Sequence, residues 1–257
     1  MNSSAPYFDD YCQASELHEY NAAQFGEMVS SYVPEPRLRT LSTSAPDQAL
    51  VRLADSLHEV AARRASVRAF ADKPLPAEQV GALLQSFAIG IDGRRAYPSA
   101  GGLYPLEIVV ALAHVDGFAR QIAVYHADTH ALGRIADLPS WEAWRQVLGS
   151  AVESEPPVTV FFCVHTEIAC AKYGERGGRF ALLEVGHAAQ MLALRAAATG
   201  LGAYALGATM EQAASALFGF SGLDSAPTVV LAYACGVPMP EPESPGRWRG
   251  WPFRKRS

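Results

Sequence analysis

Several features common in other protein classes are missing from this sequence. The first 30 residues have neither a basic stretch nor an apolar run of the kind that opens a secretory signal, so none is expected. No run approaches about 18 apolar residues free of charged and polar groups, which argues against a membrane span. The only cysteines are Cys12, Cys163, Cys170 and Cys235, with no C-x-x-C. They fit reduced, mostly buried thiols in a cytoplasmic protein better than a disulfide framework. Positive charge is also short. The net charge of −5 argues against a general nucleic-acid binder. No G-x-G-x-x-G leaves a strand and no G-x-S-x-G occurs, so neither a Rossmann nucleotide site nor a hydrolase nucleophile at Ser99 is supported. There is no internal repeat.

What is present suits a globular protein. The hydrophobic content of 49% allows a substantial core, in one large domain or two small ones. Charge is uneven along the chain. Residues 1–36 hold Asp9, Asp10, Glu16, Glu19, Glu27 and Glu35 but no Lys or Arg, whereas Arg247, Arg249, Arg254, Lys255 and Arg256 crowd the last eleven residues. Solvated termini are the simpler explanation. The alternative is a tail that meets an anion: the acidic arm, a cofactor phosphate or an acidic peptide.

In order, residues 1–46 read as an irregular, aromatic-rich N-terminal arm that packs on something else. Asp47 reads as the N-cap of a helix to about Arg63, with Leu50, Leu53, Leu57 and Val60 on one face. At its end Arg64, Ser66 and Arg68 fall close together. Two guanidiniums and a hydroxyl can form a phosphate clamp, although basic residues at a helix end are also ordinary dipole complements. Pro74 and Pro76 introduce a second helix bearing Val80, Leu83, Leu84, Phe87 and Ile91. The loop Pro98-Ser99-Ala100-Gly101-Gly102 exposes backbone with little side chain, which lets amides approach a flat or anionic ligand.

Ile108–Val115 reads as a strand, and 121–126 with 131–135 as a hairpin around Asp128-Thr129. A short helix runs from Ser140-Trp141 to Leu148. A buried strand follows at 157–164, a short helix at 210–218 and a last strand at 227–235. Cys163, His165, Glu167 and Cys170 are near one another in sequence, but their spacing matches no zinc pattern. The elements alternate without a regular βαβ repeat, which predicts an α+β layer fold with one sheet rather than a doubly wound one.

The stretch 172–207 organises the rest. A polar, Gly-broken head (Lys172–Gly178) precedes about 20 residues of apolar helix. Gly200-Leu201-Gly202 then leads into a short strand ending at Gly207. Gly186, Ala189, Ala193 and Ala197 recur at helical spacing and would let another backbone come close. A core helix and a dimer-core helix both fit this pattern.

Five motifs in this order resemble the FMN-dependent nitroreductase superfamily, and within it the SagB-type, thiazole/oxazole-forming azoline dehydrogenases. They are R-R-x-S-V-R-x-F (63–70), P-S-A-G-G-L-Y-P (98–105), K-Y-G-E-R-G (172–177), L-L-E-x-G-H-A-A-Q (182–190) and the G-L-G strand that follows. The resemblance covers about residues 55–240. It implies an α+β fold with one mixed, mainly antiparallel central sheet flanked by helices, and a homodimer with two FMN sites at the subunit interface and the long buried helix at the dimer core. It divides the chain into an arm (1–46), an FMN-binding domain (47–240) and a basic tail (241–257). It implies that Arg64, Ala65, Ser66 and Arg68 hold the FMN phosphate. Pro98, Ser99, Ala100 and Gly101 would reach the flavin of the neighbouring subunit, and Ala205, Leu206 and Gly207 would lie along the isoalloxazine. Lys172 and Tyr173 match the pair assigned to proton abstraction. A C-terminal Arg or Lys at the phosphate is a further family feature, which the tail does not align securely.

The implied reaction removes a proton and a hydride from adjacent carbons, turning a thiazoline or oxazoline into a thiazole or oxazole, with oxygen reoxidising the flavin. A free Lys or Tyr titrates near 10, so a base role needs a pocket, with partial burial or a nearby cation such as Arg176. Glu175-Arg176 reads as a loop-ordering ion pair, and His187 as a core histidine with Glu184 as its partner. The expected substrate is a peptide or carrier-bound small molecule, with a cyclase as a possible partner. Two rivals are an NAD(P)H-dependent nitroreductase or quinone reductase, and a non-catalytic flavoprotein subunit of a cyclase complex.

Overall fold

The computed structural model describes residues 5–18, 20–31, 55–149, 152–223 and 225–239. Six strands form one sheet: β1 (Leu106–Leu112), β2 (Gln121–His126), β3 (Ala131–Asp137), β4 (Val158–Val164), β5 (Gly202–Leu206) and β6 (Thr228–Gly236). Their order is β3-β2-β1-β4-β6-β5, and every neighbouring pair is antiparallel. Among the described residues, parallel pairing is confined to isolated bridges, Ser66 with Ala203 and Leu75 with Val115. The fold is thus the α+β arrangement with one sheet that the sequence pattern predicts, and the sheet, expected to be mixed and mainly antiparallel from the family resemblance, is antiparallel between all its strands.

The helices are α1 (Pro6–Ser15), α2 (Ala22–Ser31), α3 (Ser56–Arg63), α4 (Ala77–Leu84), α5 (Trp141–Leu148), α6 (Thr166–Tyr173), α7 (Glu175–Ala198) and α8 (Glu211–Leu217). They build two core layers on the two faces of the sheet. β4, with the sequence VTVFFCV, is buried at every position because it is central and covered on both sides. Its alternate residues divide by the period of two. Val160 and Phe162 join Leu83 and Leu84 of α4 and Ala188 and Leu192 of α7 in one layer. Phe161 and Cys163 join Trp144 of α5 and Phe218 beyond α8 in the other. Each fully buried Leu or Phe contributes about 1.5–3 kcal/mol, so these two layers dominate the stability. At one margin, residues 66–67 lie beside β5 and residues 69–71 beside the chain just beyond β6. The Val67 N–H donates to the Ala203 carbonyl (3.2 Å) and the Ala71 N–H to the Val237 carbonyl (2.9 Å).

Several sequence expectations change here. Within the arm, 6–15 and 22–31 are helical rather than irregular. The helix before the arginines is capped by Asp55, whose carboxylate accepts from the His58 N–H at 2.7 Å. Asp47, Leu50 and Leu53 lie outside the described residues, as do the bases of the tail. Leu57 is exposed rather than packed, and so is Ile91, which lies past the end of the second helix in a turn. The polar head is itself mostly helix: Lys172 and Tyr173 end α6, and Glu175 begins α7. The small-residue stripe is split. Ala189 and Ala193 are buried within this chain, whereas Gly186 faces open space.

Two glycines of α7 permit close approach. A Cβ on Gly177 would stand 2.5 Å from the carbonyl carbon and oxygen of Ala169 in α6, and one on Gly178 would enter the Phe8 ring of α1. The first obstacle is backbone and cannot swing aside. Gly177→Ala is therefore expected to destabilise the fold by about 1–3 kcal/mol, the usual range for overpacking. Gly26→Ala in α2 meets nothing within 4 Å and should be neutral or stabilising by up to about 1 kcal/mol. Urea unfolding midpoints of the two variants check this.

Candidate active site

Lys172 and Tyr173 are placed by the junction of two helices. Gly174, with φ of 55°, turns the chain sharply between α6 and α7. The close crossing at Gly177 then holds α7 against α6. Tyr173 is half-buried, its ring set edge-on to Phe180 at 5.1 Å, and the Lys172 Nζ lies 5.4 Å from the Tyr173 ring centroid. The ends of both side chains converge on one glycine of the 98–102 loop. A Cβ on Gly101 would lie 2.6 Å from the Tyr173 hydroxyl and 2.7 Å from Lys172 Nζ. Gly101 also has φ of 65°, so glycine is required there both for conformation and for space. Within a single copy the expected pocket is incomplete, because Lys172 is exposed. The expected Glu175–Arg176 pair is replaced by other contacts. Glu175 accepts from the N–H groups of Tyr7 and Phe8 (3.1 and 3.0 Å) at the start of α1, and the Arg176 guanidinium sits over Phe180.

The loop that carries Gly101 is fixed by a polar network. The Tyr104 N–H donates to Ser99 Oγ (2.8 Å), and the Arg95 N–H donates to the Tyr104 hydroxyl (3.1 Å). Arg95 Nη1 donates to the Tyr97 hydroxyl (2.8 Å) and to the Leu106 carbonyl (3.3 Å), and the guanidinium lies 5.0 Å from the centre of the Tyr104 ring. Tyr104 itself has φ of 48°, a left-handed conformation that costs about 1–3 kcal/mol and persists only where its surroundings impose it. A cleft of about 680 Å³ opens beside this loop, lined by Arg95, Pro98, Ser99, Gly102 and Tyr104 among others.

Glu184 lies in the buried face of α7 and is 2% exposed. Its Oε1 has no hydrogen-bond partner. Burial pushes its carboxyl up to about 7, while the Ser99 hydroxyl and the Arg95 charge pull the other way. Sequence reasoning set Glu184 beside His187. Instead His187 is exposed, and Glu184 is coupled to the 95–104 loop. The signal was a lone acid at a core position of an otherwise apolar helical face.

The arginine segment stands elsewhere. Arg64, Ala65, Ser66 and Arg68 are exposed along the outer edge of β5. Ser66 bridges Ala203, and the Arg68 guanidinium lies over the Tyr204 ring at 5.7 Å. Ala65 and Ala203 help line a cleft of about 220 Å³ that reaches Ala193 and Gly200. At the end of β5, Ala205 and Gly207 are exposed and Leu206 is buried. The structure thus forms two clusters: Gly101 with Lys172 and Tyr173, and the 64–68 segment with β5. β4 and β6 separate β1, which follows the first cluster, from β5. At one inter-strand spacing of about 4.8 Å per step, three steps put roughly 14 Å between these strands. The Cys163–Cys170 group also disperses. Cys163 is in a core layer, Cys170 packs under Phe8, and His165 is held between Glu107 (2.7 Å) and Glu167 (3.3 Å).

The raised Glu184 carboxyl has a stability consequence. The folded protein holds this proton more tightly than the unfolded chain does. Stability is therefore highest below the ordinary value of 4.5 and declines as pH rises from there to about 7. Glu184→Gln, which cannot ionise, is expected to raise the melting temperature at pH 8 relative to the parent and to change it little at pH 4.5. The gain is at most on the order of 3 kcal/mol. Thermal unfolding across pH measures it.

A model of the nitroreductase family matches residues 61–237. A protein of Methanocaldococcus jannaschii named as a nitroreductase is 32% identical over 173 residues, covering 66% of this chain and 85% of that protein. The microcin B17-processing protein McbC of Escherichia coli is 32% identical over 114 residues, 42% of this chain and 42% of McbC. Among solved structures, a chain of the E. coli microcin synthetase McbBCD complex with truncated pro-MccB17 bound superposes with a TM-score of 0.66 at 22% identity, covering 89% of this chain and 90% of that one. A Ralstonia eutropha protein solved as a nitroreductase gives 0.61 at 21% identity, covering 82% and 96%. At such identities the superpositions speak to fold alone. The family model takes in the arginine segment, the glycine loop, the Lys-Tyr junction and β5 together, and the chain belongs to the nitroreductase family.

Proposed function

We propose that the chain is an FMN-dependent dehydrogenase that oxidises a peptide-derived intermediate, a thiazoline or oxazoline, to the aromatic thiazole or oxazole, with dioxygen as final electron acceptor. The observation that carries this reading is the convergence of Lys172 Nζ and the Tyr173 hydroxyl on Gly101. Removal of hydrogen from adjacent carbons needs a base to take the proton as the hydride leaves, and these two side chains suit that role. The similarity to McbC, and the fold shared with a chain of a peptide-bound synthetase complex, support a peptide substrate and a cyclase partner.

The residues present fit FMN. Arg64, Ala65, Ser66 and Arg68 offer exposed cationic, hydroxyl and backbone donors for its phosphate. Ala205, Leu206 and Gly207 leave a ledge without bulky exposed side chains, and Gly101 and Ala100 do the same from the loop. Bound FMN supplies the hydride acceptor. The protein's own part is to hold the substrate and to take the proton on Lys172 or Tyr173. Because the two clusters lie apart within one chain, we propose a homodimer. The loop and the Lys-Tyr pair of one copy would then complete the cluster at 64–68 and 205–207 of the other. The outer face of α7, with Leu183 54% exposed and Gly186 open, suits such a contact. In this reading residues 47–240 are the FMN-binding domain.

The rival is an NAD(P)H-dependent nitroreductase. It is favoured by the M. jannaschii relative, whose match covers much more of both chains than the McbC match does. Stopped-flow mixing decides between them: rapid bleaching of the flavin by NAD(P)H alone overturns the dehydrogenase reading. Under that reading, Lys172→Ala combined with Tyr173→Phe lowers the rate of azoline oxidation by about 10²–10⁴ while FMN stays bound. Retained oxidation refutes the base assignment.

A further inference from the structure

We propose that Glu184 is a positioning residue that, through Ser99 and Arg95, sets the loop carrying Gly101 against Lys172 and Tyr173, and that ionisation of Glu184 releases this loop. The idea rests on the reading of that loop as part of the FMN site.

The geometry contains two buried polar atoms of complementary character, neither of them partnered. One is Oε1 of Glu184 and the other is Nε of Arg95. Their charges interact, yet no hydrogen bond joins them. The arrangement is self-consistent while the carboxyl is neutral, because Arg95 then spends its other donors on the Tyr97 hydroxyl, the Leu106 carbonyl and, through its backbone N–H, the Tyr104 hydroxyl. A carboxylate formed at this buried position is poorly solvated. The guanidinium with a free Nε is the charged donor coupled to it. Drawing Arg95 toward Glu184 breaks its bonds to Tyr97 and Leu106 and strains the anchor that keeps Tyr104 left-handed. Ser99, which accepts from the Tyr104 N–H and bears on Glu184, is the second path to the same loop. Facing Glu184 from the loop are thus Ser99, Arg95 and the Tyr97 phenol, whose own ionisation burial pushes up to about 12. From the strands beneath α7 the layer is apolar, with Ile108, Val160 and Phe162. The element has two states, and the proton on Glu184 selects between them.

Hydrogen–deuterium exchange of residues 98–104 in the full chain, at pH 6 and pH 8, tests this without relying on turnover. After correction for intrinsic exchange, the parent is expected to lose protection several-fold at pH 8. Glu184→Gln should keep the pH 6 protection at both values. In a parallel arm, the FMN dissociation constant from flavin fluorescence should weaken over the same interval in the parent and stay flat in Glu184→Gln. A pH step in Glu184→Gln equal to that of the parent overturns the proposal. Ser99→Ala gives a second reading: fast exchange at both pH values supports the link, and a retained step refutes it. Should no variant bind FMN, the cofactor reading fails while the exchange data still decide the role of Glu184.

Discussion

The close crossing of α6 and α7 at Gly177 is the constraint on which the site depends. Only a residue without a side chain lets the start of α7 rest on the Ala169 backbone. Gly174, one turn earlier, reverses the chain so that this contact can form. Together they fix Lys172 and Tyr173 at the end of a short helix whose direction is set by the long one behind it. The long helix is in turn pinned to the sheet by Ala188, Leu192 and Ala196. The backbone of these two residues is therefore tied to the hydrophobic core, although it comes from a junction that reads as loop. Such support from packed elements suits the proposed proton transfer, which a displacement of an ångström would disrupt.

Electrostatics adds a second layer to this picture. The polar network under the glycine loop is short of donors and acceptors in a specific way. Arg95 is heavily used, Tyr104 is held in an unfavourable conformation, and Glu184 is buried with an orphan oxygen. A fold selected for stability alone would favour an apolar residue at 184. Its presence points to the loop, which is where the two halves of the proposed site would meet.

Much of the fold was legible in the sequence because its signals are local. The hairpin at 121–137, the helix from Trp141, the continuous apolar run of β4 and the last strand follow from period and punctuation. The family motifs likewise identified the arginine segment and the Lys-Tyr pair as the residues of interest. What stayed hidden depends on tertiary contact. The helices of the arm lack strong apolar periodicity and are stabilised by partners far along the chain, such as Glu175 at the amides of α1 and Glu211 at the Leu17 N–H. Helix α6 has no amphipathic stripe to reveal it, since only Ala169 and Cys170 are buried. α3 is capped by Asp55, whose capping chemistry is the same as that of Asp47, a residue outside those described. Glu184 looked like a partner for a neighbour three residues away. Only the fold shows that Glu184 turns into the core while His187, at the margin of the same face of α7, stays exposed.

The segment that carries Arg64 and Arg68 also joins two strand ends of the sheet. It bridges Ala203 of β5 at Ser66 and pairs, through Ala71 and Ala69, with Val237 and Met239 just beyond β6. An uncovered strand margin is a template for self-association. The backbone that presents the arginines proposed to hold the FMN phosphate is thus the same backbone that partners the start of β5, so a change in one alters the other.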